Sequence, residues 1–247
     1  MKQLNEIKTQ YYKILDKESR ALARRLSRNL LVTPLLLVRI QELYSSAKIE
    51  RDFQNDNFET AYHSPISSDL EFFISRILYH YSRIKKLGWK IYLRRQVGKT
   101  CPDIRIDKKD KTIAVIEVKA IAGWIQPFFN SDRAKKDMLR MQKGTSTFDP
   151  RDLIKRVNSQ LIKYVKTFHI DKKRIYVFLP TLALVHRSRS KRVLKDYISD
   201  FVKNSKLSKD NLILLSGNLN LHLSSDAKRS EHSPTNSFEK FIAAISK

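Results

Sequence analysis

Apolar positions recur with helical spacing over the first third of the chain and then give way to short apolar runs between helices. Residues 2 to about 29 predict a charged helix with apolar positions at Leu4, Ile7, Tyr11, Ile14 and Leu15. A second helix is expected from Thr33-Pro34, because Thr33 can cap it and Pro34 suits the first helical position. Residues 51–67 are polar and read as a linker. From Ser68 onward the pattern predicts a helix over 69–87 stopped by Gly88, a strand over 89–96, and a hairpin. The hairpin pairs 103–106 with 112–119 around the polar turn Asp107-Lys108-Lys109-Asp110-Lys111. Asp149-Pro150 then caps a helix running to Phe168. A strand over 174–179, a helix over 191–204 and a strand over 211–216 follow. Residues 224–236 read as a polar, mobile tail before a last helix capped by Ser237.

This order predicts an α/β fold with a central mixed sheet and an N-terminal helical extension. Three segments are expected: helices and linker over 1–64, the core over 65–223, and tail with short helix over 224–247. A chain of 247 residues buries a sizeable core without covalent staples, and its single cysteine, Cys101, has no partner for a disulfide. The opening residues lack the apolar stretch of a signal peptide, and the longest apolar run, Leu30 to Val38, is too short to cross a bilayer. A cytoplasmic protein without a membrane partner is expected. The formal net charge of +24 changes the picture most, because such an excess of Lys and Arg attracts polyanions. Nucleic acid is the expected partner.

The segment that carries chemistry is Pro102-Asp103, then thirteen residues, then Glu117-Val118-Lys119. Strand alternation points Glu117 and Lys119 to one face, about 7 Å apart. A hairpin folded about Lys109 and Asp110 pairs residues whose numbers sum to about 219 or 220, which sets Asp103 opposite Ile116 or Glu117. Two carboxylates and a lysine then converge at the end of an apolar strand. Hard-cation phosphodiester chemistry needs that combination: oxygen ligands for Mg²⁺, and an ammonium to orient or deprotonate the attacking water. The bland alternative is a chance strand start at Asp103 beside an ordinary ion pair.

Pro102-Asp103 with Glu117-Val118-Lys119 resembles the signature of the PD-(D/E)XK nuclease superfamily, and the predicted helix, three strands, helix and strand resemble its αβββαβ core over roughly residues 68–180. The resemblance implies a restriction-endonuclease-like fold, catalysis by Asp103, Glu117 and Lys119, and Mg²⁺, or Mn²⁺ in its place, held at Asp103, Glu117 and Val118. It further implies cleavage of double-stranded DNA, most simply by a homodimeric type II restriction endonuclease. A repair or recombination nuclease acting on ends or branches is the alternative, and a non-catalytic nucleic-acid-binding protein is the third reading. Gln160 and Tyr164 match the Gln-x-x-x-Tyr helix motif of RecB-like nucleases and share one helix face, either near the substrate phosphate or merely bordering the core.

Glu71 stands where some members of that superfamily place an extra acidic metal ligand or a group supporting the metal's ligands, yet Ser68-Asp69-Leu70-Glu71 is also a capping-box sequence. Two basic clusters suit phosphate contacts: Arg187, Arg189, Lys191 and Arg192, and Arg133, Lys135, Lys136, Arg140 and Lys143. The six histidines lack metal-binding spacing and no Gly-rich phosphate loop is present, so zinc and a nucleotide cofactor are not expected.

Overall fold

A computed structural model of the chain describes residues 2–54, 65–119, 128, 150–182, 193–221, 223 and 228–247. Its centre is a five-stranded mixed sheet in the order β1 (Trp89–Leu93), β2 (Ile104–Lys108), β3 (Lys111–Val118), β4 (Ile175–Leu179) and β5 (Leu212–Leu214). β1, β2 and β3 are antiparallel neighbours, whereas β3, β4 and β5 run parallel. Parallel neighbours need crossovers, and helices α4 (Pro150–Phe168) and α5 (Leu194–Ser205) lie in these two connections. The fold is therefore α/β, and among the described residues it carries six α-helices. The other four are α1 (Lys2–Ser27), α2 (Thr33–Gln54), α3 (Pro65–Ile84) and α6 (Ser237–Ser246).

Alternation along the strands divides the interior into two layers. Ile104, Ile106, Ala114, Ile116, Tyr176 and Phe178 face a layer shared with α1, α2, α3 and α6. Val115, Ile175, Val177 and Leu179 face the other layer, with Val157, Leu161 and Tyr164 of α4 and Tyr197 and Phe201 of α5. All five residues of β4 are buried, as a strand covered on both faces requires.

The terminal segments join the first layer. On α1, Leu15, Leu22, Ala23 and Leu26 are buried, whereas Ile14 is exposed. Tyr11 and Tyr12 donate to Asp69 of α3, and Arg76 and His80 of α3 converge on Asp16. From α6, Phe238, Phe241, Ile242 and Ile245 are buried, each worth about 1.5–3 kcal/mol relative to exposure. Glu239 on the same helix accepts from the backbone N–H groups of Val32 and Thr33 at 2.7 and 2.8 Å and from the Thr33 hydroxyl at 2.7 Å. A carboxylate there satisfies free donors at the start of α2 and lies favourably on the helix dipole.

Several expected boundaries move. The polar stretch after Arg51 continues α2 to Gln54, and α3 begins at Pro65, not Asp69, with proline on the first helical turn. β1 stops at Leu93 because Arg94 takes a left-handed conformation at φ 48°. Residues 228–236 pack on the sheet end: Ser216 bridges Pro234, Thr235 N–H donates to Leu215 O, and His232 is buried against Gln41. Asn236, not Ser237, occupies the cap position of α6; the Ser237 hydroxyl donates to Leu214 O at 2.5 Å. The Asp149 cap lies outside the described residues.

Candidate active site

Arg105 of β2 and Val115 and Glu117 of β3 turn toward α4. Arg105 shows the orientation: its guanidinium lies 4.3 Å from the Tyr92 ring centre and 5.3 Å from that of Phe168 on α4. The observed register pairs Ile104 with Ile116 and Arg105 with Val115, a sum of 220, and slips to 219 after a bulge between Ile106 and Asp107. Continued one residue, it brings Asp103 beside Glu117, as the hairpin arithmetic predicts. Asp103 Oδ2 accepts from the Val118 N–H at 2.8 Å, and the Asp103 carbonyl accepts from the Arg94 N–H at 2.9 Å. These contacts hold Asp103 from both neighbouring strands. Lys119 Nζ donates to Glu117 Oε2 at 2.7 Å and reaches Asp103 Oδ2 at 3.4 Å.

Helix α4 closes the other side. Gln160 Nε2 donates to the Tyr164 hydroxyl oxygen at 2.7 Å and approaches Glu117 Oε1 at 3.4 Å, while the Tyr164 hydroxyl donates to the same Glu117 oxygen. The two residues therefore belong to the Glu117 environment and do more than border the core. Burial pushes the Glu117 carboxyl up to about 7, and the negative charge of Asp103 adds to this, against the opposing pull of Lys119 and the Tyr164 hydrogen bond. Burial works against the Lys119 charge, but Glu117 and Asp103 outweigh it and lift its pKa above the ordinary lysine range. Tyr164 is likewise raised, by burial first and then by Glu117, so its hydroxyl keeps its proton.

Glu71 does not cap its helix. With α3 starting at Pro65, it falls on the second turn, beyond the capping-box position. Its carboxylate is buried and paired with the Arg94 guanidinium, which contacts Oε1 at 2.9 Å and also Oε2, and whose Nη2 reaches the Ser68 hydroxyl at 3.0 Å. Burial raises the Glu71 pKa, Arg94 opposes, and Asp103 adds a further upward push. Arg94 thus touches both Glu71 and, through its backbone, Asp103. No spacing in the sequence marks it, since it is one of many arginines and its role depends on the left-handed turn after β1. Arg133, Lys135, Lys136, Arg140, Lys143, Arg187, Arg189, Lys191 and Arg192 lie outside the described residues.

The donor set suits a hard divalent cation. Asp103 and Glu117 supply carboxylate oxygens, and Asp103 Oδ1 accepts no hydrogen bond among the described residues. The buried Glu117 carboxyl, whose proton affinity burial and the charge of Asp103 raise, is relieved by a cation as well as by a proton. No group of three or more His, Cys, Asp or Glu side chains assembles for a metal among the described residues. Carbonyl, water and substrate oxygens would complete the shell, a mode Mg²⁺ commonly adopts. No helix among the described residues is long and apolar enough to cross a membrane. Compared with protein-family models, with curated proteins and with solved structures, the chain has no match.

Proposed function

We propose that the chain is a Mg²⁺-dependent nuclease that hydrolyses DNA phosphodiester bonds, with a restriction-endonuclease-like core. The observation that carries this reading is the convergence of Asp103 and Glu117 on one lysine, Lys119, with 2.7 and 3.4 Å contacts at a strand end. Asp103 and Glu117, with the Val118 carbonyl, would hold the metal, which when bound supplies charge stabilisation on the phosphate and a more acidic water. Lys119 stays protonated and orients the attacking water against the phosphorus. The Tyr164 hydroxyl and the Gln160 amide hold Glu117 in one rotamer, as outer partners of a ligand do.

Nucleic acid as the substrate is supported by the +24 charge and by the exposed side of α1. Lys13, Lys17, Arg20 and Arg24 are exposed there, and Arg28 is exposed in the turn just after the helix. At 100° and 1.5 Å per residue the four on α1 form a stripe about 60° wide and about 17 Å long. Such a stripe suits the sequence-independent phosphate contacts that position a duplex.

A stand-alone, sequence-specific cutter of the type II restriction class is the favoured form, with Mn²⁺ able to replace Mg²⁺ and a homodimer cutting both strands. The contact of Gln160 and Tyr164 with Glu117 favours a second reading, a repair or recombination nuclease, whose RecB-like members carry that pair. Incubation of the purified protein with supercoiled and linear plasmid plus Mg²⁺ separates the readings. Discrete fragments support a restriction enzyme and progressive shortening an end-directed nuclease. DNA bound but left intact leaves only the third reading, a binding module.

A further inference from the structure

Beside Glu117 the structure opens a cleft of about 390 Å³, lined by Lys99, Thr100, Cys101, Ser159, Gln160, Lys163 and Tyr164. We infer that this cleft is a subsite for a single nucleotide, seating its phosphate between Lys99 and Lys163 next to the reacting centre. The inference rests on the nuclease reading for its biological role but not for its chemistry.

Two rigid elements make the walls. On one side Val97 and Thr100 exchange backbone hydrogen bonds at 2.8 and 3.0 Å across a two-residue turn, with Gly98 at φ 56° in the position where tight hairpin turns demand positive φ. That turn projects Lys99. The Thr100 hydroxyl, itself buried, lies 3.1 Å from the Thr167 hydroxyl and ties the turn to α4. On the other side Ser159, Gln160, Lys163 and Tyr164 stand at successive positions of one α4 face.

The lining chooses the ligand. It offers two ammonium groups, three hydroxyls, a thiol and an amide, and no carboxylate among the seven residues. Neither lysine forms an ion pair with a described residue, and both are exposed. Apolar lining is scarce, so an apolar ligand gains little there, whereas a phosphate gains charge-assisted hydrogen bonds. The volume falls at the small end of the roughly 300–1,000 Å³ range of ligand sites. Because Gln160 and Tyr164 touch both the cleft and Glu117, the nucleotide seated here is the neighbour of the phosphate being cut.

Cys101, the only cysteine of the chain, is exposed in the same lining and reports occupancy without any need for turnover. The metal-free chain of 247 residues is alkylated with iodoacetamide and the rate followed by mass. A deoxynucleoside 5′-monophosphate is expected to slow alkylation about tenfold at about ten times its Kd, following 1 + [L]/Kd. Lys99→Ala/Lys163→Ala should abolish that protection, with the variant's melting temperature measured alongside to show that it folds. Inorganic phosphate tests the phosphate alone: weaker protection fits a nucleotide site, and equal protection reduces it to an anion site and overturns the nucleotide assignment. Absence of protection, or protection unchanged in the double variant, also overturns it. Protection without plasmid cleavage keeps the subsite and rejects the nuclease, whereas cleavage without protection does the reverse.

Discussion

The backbone N–H of Val118 donates to Oδ2 of Asp103 at 2.8 Å, so a side chain at the start of β2 is fixed by the residue between Glu117 and Lys119. The spacing of the two carboxylates is thus set by the hairpin ladder, not by flexible side chains. Asp103→Asn keeps an acceptor for that N–H but loses the charge. It is expected to fold normally, by circular dichroism and melting temperature, and to lose cleavage by about 10²–10³-fold or more, the scale of removing one preorganised charge-stabilising group. Single-turnover cleavage of a plasmid in saturating Mg²⁺ measures the loss. Wild-type rates in the folded variant would reject the assignment.

Tyr164→Phe removes one hydroxyl from Glu117 and leaves the ring in the α4 layer. Activity is expected to fall by about 10–100-fold, with a higher Mg²⁺ requirement, as for loss of an outer partner of a metal ligand. Stability should change by no more than about 1.5 kcal/mol. A titration of cleavage rate against Mg²⁺ checks the first, a urea melt the second.

Glu117 costs stability as its carboxyl ionises. Its folded pKa, near 7, lies above the ordinary value of 4.5, so the folded chain binds more protons than the unfolded one between these values and loses stability as pH rises through that window. Glu117→Gln removes the penalty. Without divalent metal it is expected to melt no lower than wild type at pH 8, and to show a flatter pH dependence between pH 4.5 and 7, while cleaving no DNA. A lower melting temperature at pH 8 would contradict this.

His80 and Asp16 give the opposite slope. Burial lowers the His80 pKa below 6.5, so the unfolded chain takes up the proton first and stability falls as pH drops below 6.5. Burial also works against the Asp16 charge, but Arg76 and His80 outweigh it and hold its pKa below 3.8; that contribution is present above 3.8 and lost at lower pH. His80→Gln keeps a donor toward Asp16 but cannot titrate. Urea melts from pH 7.5 to 5 are expected to show a shallower acid loss in this variant, the remainder coming from His232, whose burial also lowers its pKa.

The α1 stripe, with Arg28 just after it, predicts a salt effect. Replacing Lys13, Lys17, Arg20, Arg24 and Arg28 with Gln should weaken binding to specific and unrelated DNA alike, and flatten the slope of log affinity on log salt by about 0.9 per lost phosphate contact. Fluorescence anisotropy between low and moderate salt reads both. An unchanged slope would leave the stripe a solvated face.

The carboxylate convergence was legible in the sequence because strand alternation and hairpin arithmetic are nearly rigid rules, and the bulge at Ile106 and Asp107 absorbs the one-residue difference between sums of 219 and 220. Glu71 was not legible. A capping box is a local pattern, and Pro65 one turn upstream started the helix first. The residues after Lys228 defeated composition for a different reason. Polar side chains pin that segment, the Asn218 Nδ2 donating to Glu231 O at 2.6 Å and the Thr235 hydroxyl to Leu214 O at 2.5 Å, and polarity alone cannot tell a pinned segment from a mobile one. Arg94 and the cleft around Lys99 depend on two left-handed turns and on helix packing, which no periodicity encodes.

Glu239 binds the first turn of α2 across 207 and 206 positions of chain. During synthesis at roughly 5–20 residues per second, the start of α2 emerges about 200 residues before its anchoring carboxylate and the Phe238 and Phe241 rings that share its layer. The start of α2 therefore waits unlatched until α6 is made. Completion of this layer is an event of high contact order, expected to be slow. Glu239→Gln, which weakens the latch without emptying the core, should lengthen that vulnerable interval and raise aggregation during refolding more than it lowers the final melting temperature.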